Sequence, residues 1–464
     1  MRIFAERAAL GDRAGTICPA TVDIHGATIQ RVARGSAAAA GSDVVLPSRY
    51  VLVPALINTH THLALSALRG IGGRTILSGN VVEDLYFQVE QHLVEDDVRA
   101  FARVGAYESV LSGTGLVWDH YYFAHAIAEA LDEVGLCGAL APALQDLSGP
   151  GAGSLAANLA DVDRIAALGA PGIAPVLGPH ATDTVSDALW GAVRDRAAVT
   201  GLPIHAHLAQ SAEEVRRSWA SHGCGPLERL RRLGVLSTGA PVVLAHGQYV
   251  TDAERAPVGS EDVVLAYCPA AQAQFDFPAP VAAWRAAGGA VALGTDAGSC
   301  NDALDVQAEL RVAALAGAFS LTDAPQRRAF AADPSEETLA AMVAHRRAAQ
   351  AHQLEPPALL SMVWSVPGDL HPQLPAGRIA AGRLANLAIY DTWHPAMWPG
   401  SAPLQSLTLG RCAGALHGLL LRGRWVGERG SFHASILESD GYRAATADAN
   451  RRLPALLRRA GFTT

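Results

Sequence analysis

Residues 51–70 read VLVPALINTHTHLALSALRG, and this stretch guides the interpretation of the rest of the chain. An apolar, β-rich run leads into the polar segment NTHTH, which ends at His62. Because residues i and i+2 of a strand point the same way, His60 and His62 are expected to project together from one strand end. Two neutral imidazoles at that spacing can bind one metal ion. A polar strand end without a metal is the other interpretation of an isolated His-x-His pair.

The composition limits what kind of protein carries this pair. Half of the 464 residues are hydrophobic and 17% are charged, so we expect a large buried core rather than disorder. A net charge of −8 indicates no basic face for nucleic acid or an anionic membrane. The 36 basic residues are all arginines. The absence of lysine excludes Schiff-base catalysis, a P-loop lysine and a carboxylated lysine that bridges two metals.

The cysteines and the N-terminus concern the cellular compartment. The six cysteines form no C-x-x-C pair, so neither a zinc knuckle nor a disulfide framework is expected. The N-terminal MRIFAERAALGDRAG lacks the apolar segment of a signal peptide. No uninterrupted apolar run reaches ~18 residues, the length of a membrane span. We therefore predict a soluble, cytoplasmic protein.

Short apolar runs alternate with helical stretches from residue 51 to about residue 370. The candidate strands are residues 51–57, 115–118, 137–144, 172–177, 203–206, 241–245, 263–267 and 290–294. The candidate helices include residues 98–112, 185–200, 213–221, 279–287, 302–318, 334–353 and 444–459. Alternating strands and helices predict a parallel sheet, and eight repeats predict an α/β fold of the (β/α)₈ TIM-barrel type.

Both ends of the chain have a different texture, with short alternating strands and turns. Residues 1–52 are expected to form half of a small β-sandwich, and residues 373–430 are expected to complete it. The second half includes a hairpin that turns at Arg422-Gly423. The barrel would occupy residues 53–372, and residues 431–464 would form a helical tail.

The active site of a TIM barrel lies at the carboxyl ends of its strands. Of the seventeen histidines, eight lie at or just after predicted strand ends: His60, His62, His120, His125, His180, His205, His207 and His246. Asp296 follows the eighth strand. A hydrogen-bonded structural role is the simpler interpretation of any single histidine. Their concentration on one rim indicates a metal site.

Five motifs in this order resemble the amidohydrolase superfamily. They are NTHTHLALSALRG at 58–70, GPH at 178–180, HAHLAQSAEEV at 205–215, LAHG at 244–247 and LGTDAGSCNDALD at 293–305, and GRIAAGRLANLAIYD at 377–391 matches the return to the sandwich. Within the superfamily, they resemble the branch of cytosine-deaminase-like enzymes, nucleoside and guanine deaminases and triazine chlorohydrolases. The resemblance implies a distorted TIM barrel with a β-sandwich formed by both chain ends.

The resemblance also implies roles for individual residues. His60, His62, His207 and Asp296 would hold one divalent metal, Zn²⁺ or alternatively Fe²⁺, a donor set that suits either ion. Asp296 would take a proton from the attacking water, and His246 would polarise the substrate or its leaving group. His205 is expected to pack or hydrogen-bond behind the site.

One departure concerns proton transfer. Enzymes of this branch usually carry Glu three residues after the strand-five ligand, whereas this chain has Gln210. A carboxamide forms hydrogen bonds but transfers no proton at neutral pH. Either another group such as His180 or His120 substitutes, the substrate needs no ring protonation, or the protein has lost turnover.

The residues that would contact a substrate are less defined. The loop after strand one lacks the Trp-Leu…Ile-Trp-Pro pattern of nucleoside-deaminating relatives, which weakens the case for ribose recognition. We expect His180, His120, Tyr86, Trp118 and Asn301 to contact a flat ring. A core position for the aromatic residues and a helix-cap role for Asn301 are the structural alternatives.

The sequence therefore predicts a mononuclear metal-dependent hydrolase. Its expected reaction is hydrolytic deamination of an aminated N-heterocycle such as a purine or pyrimidine. Hydrolysis of another C–N or C–halide bond is the alternative reaction, and a catalytically silent ligand-binding protein is the alternative class. The expected partner is a small heterocyclic molecule, with no nucleic acid or membrane, and the resemblance implies a homo-oligomer.

Overall fold

The computed structural model describes residues 1–35, 41–71, 80–319, 324–350 and 354–462. Its strands are β1 (Arg2–Ala9), β2 (Ile17–His25), β3 (Thr28–Arg34), β4 (Val44–Leu46), β5 (Tyr50–Pro54), β6 (Leu56–His62), β7 (Thr114–Tyr121), β8 (Cys137–Pro142), β9 (Ile173–Pro175), β10 (Ile204–Leu208), β11 (Val242–His246), β12 (Val263–Tyr267), β13 (Ala290–Leu293), β14 (Asp296–Ala297), β15 (Leu387–Asp391), β16 (Leu416–Leu421) and β17 (Arg424–Val426).

The helices connect these strands or follow them. They are α1 (Phe87–Glu90), α2 (Glu95–Leu111), α3 (Ala124–Val134), α4 (Leu155–Leu168), α5 (Asp187–Thr200), α6 (Ala212–His222), α7 (Pro226–Arg232), α8 (Asp252–Arg255), α9 (Pro269–Phe275), α10 (Val281–Ala286), α11 (Val306–Phe319), α12 (Pro325–Ala332), α13 (Glu336–Gln350), α14 (Pro356–Ser361), α15 (Pro403–Leu409), α16 (Phe432–Leu437) and α17 (Asp440–Arg459). The last three residues of the helix predicted at 334–353 lie outside the described residues.

Two parallel sheets carry the eight strand positions of the barrel. Their orders are β14-β6-β7-β8-β9 and β10-β11-β12-β13. A bridge between Leu177 and Ile204 joins the two sheets on one side. On the other side, β13 is followed after two residues by β14, which pairs with β6. Strands such as β6 and β7 are buried along their whole length, because helices cover the outer face of the barrel. The predicted distorted (β/α)₈ barrel is confirmed.

The first predicted strand, residues 51–57, is in fact two strands in two different sheets. β5 pairs with β15 and β6 pairs with β7. Between them, the Ala55 amide donates to the carbonyl of Asn386, and the Leu56 amide donates to the carbonyl of Gly113, both at 3.0 Å. The backbone thus changes sheets within two residues, immediately after Pro54, which has no N–H to donate. The prediction of one continuous strand is wrong, and β5 crosses the predicted boundary at residues 52 and 53.

Both chain ends build the small β unit beside the barrel. The strand order is β17-β16-β15-β5-β1-β2-β3, with β4 paired to β1, so the hydrogen bonds run through one eight-stranded sheet. Ile3, Leu52, Ile389 and Leu420 belong to its core. The predicted hairpin turns at Arg422-Gly423, where both residues have positive φ, at 50° and 72°. The prediction that the two ends combine is confirmed.

The tail helix α17 lies against barrel helix α2. Arg452 and Arg459 both pair with the buried carboxylate of Asp97, and the rings of Tyr107 and Tyr442 meet edge to face at 5.4 Å. α17 begins at Asp440, four residues before the predicted start, because the Ser439 hydroxyl accepts a hydrogen bond from the Tyr442 amide. Among the described residues, none of the helices is both long enough and apolar enough to cross a bilayer.

Candidate active site

Three strand ends bring the predicted metal ligands together, and a fourth places His246 beside them. His60 and His62 lie on β6, His207 on β10, His246 at the end of β11 and Asp296 at the start of β14. The Nε2 atom of His62 is 3.3 Å from Nε2 of His207 and 3.4 Å from Oδ1 of Asp296. Donor atoms held ~2.1 Å from a common ion at tetrahedral angles lie roughly 3.4 Å apart. The donor set and its spacing fit a divalent metal ion.

A second layer of contacts orients the imidazoles. Nδ1 of His62 is 2.5 Å from the carbonyl of His120, and Nδ1 of His207 is 2.8 Å from the carbonyl of His180. These contacts direct the Nε2 atoms of both rings toward the centre of the cluster. Nδ1 of His60 lies 2.8 Å from Nε2 of His205, which therefore sits behind the site. Within the described part of the chain, the buried Nε2 atom of His60 has no hydrogen-bond partner, as expected of an atom reserved for a metal.

The close approach of β13 and β14 to β6 positions Asp296 beside the histidines. The side chain of Asn58 donates to the Thr295 hydroxyl at 2.9 Å, and the Thr295 amide donates back to Asn58 at 3.1 Å. A Cβ atom at Gly294 would lie 2.7 Å from the backbone nitrogen and oxygen of His60, so this position requires glycine. His246 and Asp296 have left-handed φ values of 77° and 60°, a strained conformation that is common at functional sites.

The electrostatics of the cluster suit metal binding. Burial holds the pKa of His60 and of His207 well below the ordinary value, so both imidazoles are neutral at pH 7. Burial by itself would raise the pKa of Asp296, but the hydrogen bond with His62 and the charges of His246 and His62 lower it overall. The cluster therefore offers neutral imidazoles at His60 and His207 and an ionised carboxylate at Asp296, which are the forms that bind a metal. Burial by itself would lower the pKa of His62, but the hydrogen bond with Asp296 and its charge raise it overall, so metal binding there would release a proton.

A cavity of about 420 Å³ opens above the cluster. The residues in its wall include His62, His207, His246 and Asp296, together with the predicted contacts Tyr86, His120, His180 and Gln210. Gln210 is half-buried, and its backbone amide donates a hydrogen bond to Oε2 of Glu214 at 2.9 Å. His180 accepts or donates one hydrogen bond with Thr184 at 2.9 Å, and burial lowers its pKa to about 3. The cavity is large enough for a bicyclic ring with a substituent.

The segment after strand one supplies aromatic walls. Residues Val82–Tyr86 form a π-helical turn and α1 follows directly. The Tyr86 hydroxyl lies 3.1 Å from Sγ of Cys300 and accepts a hydrogen bond from Ser299 at 3.0 Å. Phe87 also lines the cavity, with its ring centroid 6.0 Å from that of His180.

Two predicted substrate contacts lie away from the cavity wall. β7 continues to Tyr121, so Trp118 is three residues below the rim and fully buried, with its ring 5.9 Å from that of His205. Asn301 donates to the Thr295 carbonyl at 2.8 Å and to Glu309 at 2.9 Å. The structure therefore corrects both assignments: Trp118 packs beneath the metal cluster, and Asn301 supports the backbone next to Asp296.

The sequence reasoning missed several residues of the site. Glu90 lines the cavity although it is 7% exposed, and burial raises its pKa to about 7. The Gln272 side chain donates to the carbonyl of His246 at 3.0 Å and fixes that strand end. Glu214, in the first turn of α6, accepts hydrogen bonds from the amides of Ala209 and Gln210. In the sequence these positions look like ordinary polar helix residues, and only their burial distinguishes them.

The sequence profile of the amidohydrolase family matches residues 51–341, more than half of the chain. The chain belongs to the amidohydrolase family. Over 266 residues, this amidohydrolase is 34% identical to a 5-methylthioadenosine/S-adenosylhomocysteine deaminase of Moorella thermoacetica, a match that covers 57% of this chain and 61% of that relative's length.

Two further similarities span more of the molecule. A Natronomonas pharaonis protein with the same name is 30% identical over 365 residues, which are 78% of each chain. The crystal structure of an adenosine deaminase from Xanthomonas campestris with bound zinc superposes with a TM-score of 0.80, at 22% identity, over 99% of this amidohydrolase and 98% of that chain. The structural likeness supports the fold.

Proposed function

We propose that this protein is a metal-dependent aminohydrolase that acts on an aminated N-heterocycle. In this reaction water adds to the ring carbon that bears the amino group, the C–N bond breaks, and ammonia leaves while the ring keeps the oxygen. The proposal rests on His60, His62 and Asp296, which meet as one group of donor atoms beside a ring-sized cavity in an amidohydrolase chain. Nε2 of His207 lies 3.3 Å from Nε2 of His62 and adds the fourth donor. The names of the relatives support an adenosine-like ring as the first substrate to test.

The three histidines and Asp296 would hold one metal ion, with zinc proposed and iron as the alternative. When bound, such an ion lowers the pKa of a coordinated water to about 7 and so supplies a nucleophile at neutral pH. Asp296 has the second role of accepting the proton that the nucleophile loses, because its carboxylate is ionised and lines the cavity.

His246 is proposed to stabilise the amino group as it leaves. Its ring stacks on that of His207 at a centroid distance of 5.5 Å and lines the cavity. The hydrogen bond from Gln272 to its backbone carbonyl and its position at the end of β11 fix its direction. A neutral imidazole there both donates and accepts hydrogen bonds.

Gln210 supports a second candidate function on the same scaffold. General acid–base assistance is worth about 10² to 10⁴ in rate, and a carboxamide cannot supply it. A substrate whose leaving group departs without a proton, such as a halide on an electron-poor ring, avoids this loss. An alkylamino substituent or a cyclic amide is the other alternative, in which the nitrogen must take its proton from another group as the C–N bond breaks. A silent ligand-binding protein is the outcome if no substrate reacts.

Two measurements test these alternatives. Metal analysis of the purified protein is expected to give about one Zn or Fe per chain, and two metals would contradict the mononuclear site. Ammonia release is then measured with adenosine, 5-methylthioadenosine, S-adenosylhomocysteine and guanine, beside chloride release from a chlorotriazine. Ammonia from a purine supports deamination, whereas chloride release alone supports the second candidate. A loaded protein that binds these rings without releasing either product supports the silent alternative.

The remaining proposals concern the whole molecule. We propose a cytoplasmic homo-oligomer with a β unit, a barrel and a tail. The predicted first boundary, between residues 52 and 53, moves to residue 54 because β5 belongs to the β unit. The β unit then comprises residues 1–54 and 373–430, the barrel residues 55–372 and the tail residues 431–464. Light scattering after gel filtration would give the mass of the assembly, and a monomer would contradict the oligomer. Limited proteolysis would test the boundaries, with the first cuts expected near residue 430.

A further inference from the structure

The cavity wall has an unusual balance of charge. Among the described residues that line it, none is an arginine, and the chain contains no lysine. Apart from Asp296, the wall carries three further carboxyl groups, those of Glu90, Glu213 and Asp276. Within the described part of the wall, a substituent on a bound ring would therefore meet acids rather than fixed cations.

Two of these acids, Glu213 and Asp276, are exposed, and both lie close enough to Tyr249 to affect its pKa. Glu213 is in the first turn of α6, and Asp276 directly follows α9. The hydroxyl of Tyr249 donates to Asp276, and burial together with the charges of Asp276 and Glu213 raises the pKa of Tyr249 to about 12. The ring of Tyr249 packs against Phe277 at 5.0 Å, which fixes this group in place.

Two arginines follow Glu213 on α6, and neither lines the cavity. The first, Arg216, is exposed to solvent. Arg217 of α6 binds Glu83 and also Asp183, the latter at 2.9 Å. Arg229 of α7 binds Asp187 at 2.6 Å. Arg217 and Arg229 are therefore held by carboxylates, and Arg216 lies outside the wall that a bound substituent would contact.

We propose that the cavity selects substrates whose substituent away from the reacting ring is neutral or cationic, and that Glu213 and Asp276 exclude an anionic tail. This inference rests on the proposed function, because it assumes that a ring occupies the cavity. A phosphate or carboxylate tail would face two like charges across low-dielectric walls, whereas an ammonium would be attracted.

Three probes of nearly the same shape test this selection. They are adenosine 5′-carboxamide, adenosine 5′-carboxylate and 5′-amino-5′-deoxyadenosine, which carry a neutral, an anionic and a cationic tail. For the zinc-loaded protein at low salt, kcat/KM is expected to be at least tenfold lower for the carboxylate than for the carboxamide, and at least as high for the amine. The difference should shrink at 0.5 M salt, because screening weakens exposed charges but not steric exclusion. Calorimetric binding of the same probes gives a readout that is independent of turnover.

Charge reversal at the rim identifies the responsible residues. The double variant Glu213→Arg/Asp276→Arg is expected to reduce the preference for the carboxamide over the carboxylate by tenfold or more. Asp161→Arg is the matched control: it reverses an exposed acid on α4 outside the cavity wall and should leave the preference unchanged.

Each outcome has a separate meaning. Equal turnover and binding of carboxylate and carboxamide overturn this inference alone, as does an unchanged preference in the double variant. Binding in the expected order without turnover supports the selection and contradicts the proposed deamination. If no probe binds and none is turned over, both the selection and the proposed deamination are contradicted.

Discussion

Replacing Gln210 with glutamate tests the main departure of this chain from its family. The substitution changes one amide into a carboxyl group in the cavity wall, where the side chain is half-buried. The new acid would lie near the carboxylate of Glu214, which already accepts a hydrogen bond from the backbone amide of residue 210. A like charge at this distance raises the pKa of the new acid above its ordinary value of about 4.3. More of it is then protonated near neutral pH and able to donate a proton to a ring nitrogen.

The expected gain follows from the position of the side chain. General acid catalysis is worth about 10² to 10⁴ in rate, and a group at the cavity edge should give the lower end. We expect kcat for a purine substrate to rise by about 10², which corresponds to about 2.7 kcal/mol of barrier. Because the protonated form is the donor, the gain should be full below the pKa of the new acid and should disappear as the pH rises through it.

The assay is ammonia release from pH 5 to pH 9 with the zinc-loaded protein. Gln248→Glu is the control, because Gln248 lines the same cavity from the β11 end and the variant adds the same charge. Its side chain donates to the Phe277 carbonyl at 2.9 Å, so melting temperatures are recorded for both variants. An unchanged rate and pH profile in Gln210→Glu would refute the reasoning, and position 210 would then have no part in proton transfer. An equal gain in Gln248→Glu would attribute the effect to charge alone.

Four further predictions address the metal, its support and the buried acids. Chelation should abolish activity and lower the melting temperature, and one equivalent of Zn²⁺ should restore both, whereas restoration that requires two equivalents would contradict a single site. His205→Phe removes the 2.8 Å contact with His60 that orients a predicted metal ligand, so the metal affinity should be 10- to 100-fold weaker. Competition with a chelating dye measures this affinity. An unchanged affinity would make His205 a packing residue only. Gly294→Ala should give metal-free protein with a lower melting temperature, because the new methyl group would lie 2.7 Å from the His60 backbone; full metal content would contradict this reading. Burial raises the pKa of Glu309 to about 8, so its contribution to the free energy of unfolding is present below the unfolded pKa near 4.3 and is lost as the pH rises to about 8, at up to about 1.4 kcal/mol per pH unit. Melting temperatures should therefore fall less steeply from pH 5 to pH 8 in Glu309→Gln than in the unsubstituted protein. Equal slopes would contradict this role of Glu309.

Local pattern was sufficient for most of the architecture. Runs of apolar residues bounded by glycine and proline marked all eight barrel strand positions, and the hairpin at Arg422-Gly423 lies where its turn residues indicate. The same reasoning joined β5 to β6, because a continuous apolar run carries no sign of the sheet to which each half belongs. That distinction depends on the long-range partners Asn386 and Gly113, which are remote in the sequence.

The sequence by itself determined the kind of chemistry available to this protein. The His-x-His pair, the other strand-end histidines and Asp296 specify the types of metal donor, and the absence of lysine restricts the site to forms without a bridging carbamate. Only the tertiary structure decided which polar residues serve that site. It buries Trp118 below the rim, turns Asn301 toward Thr295, and brings Glu90, Glu213 and Asp276 into one cavity wall. The reason is that donor chemistry belongs to each residue type, whereas burial and mutual distance exist only after remote strand ends have met around the barrel.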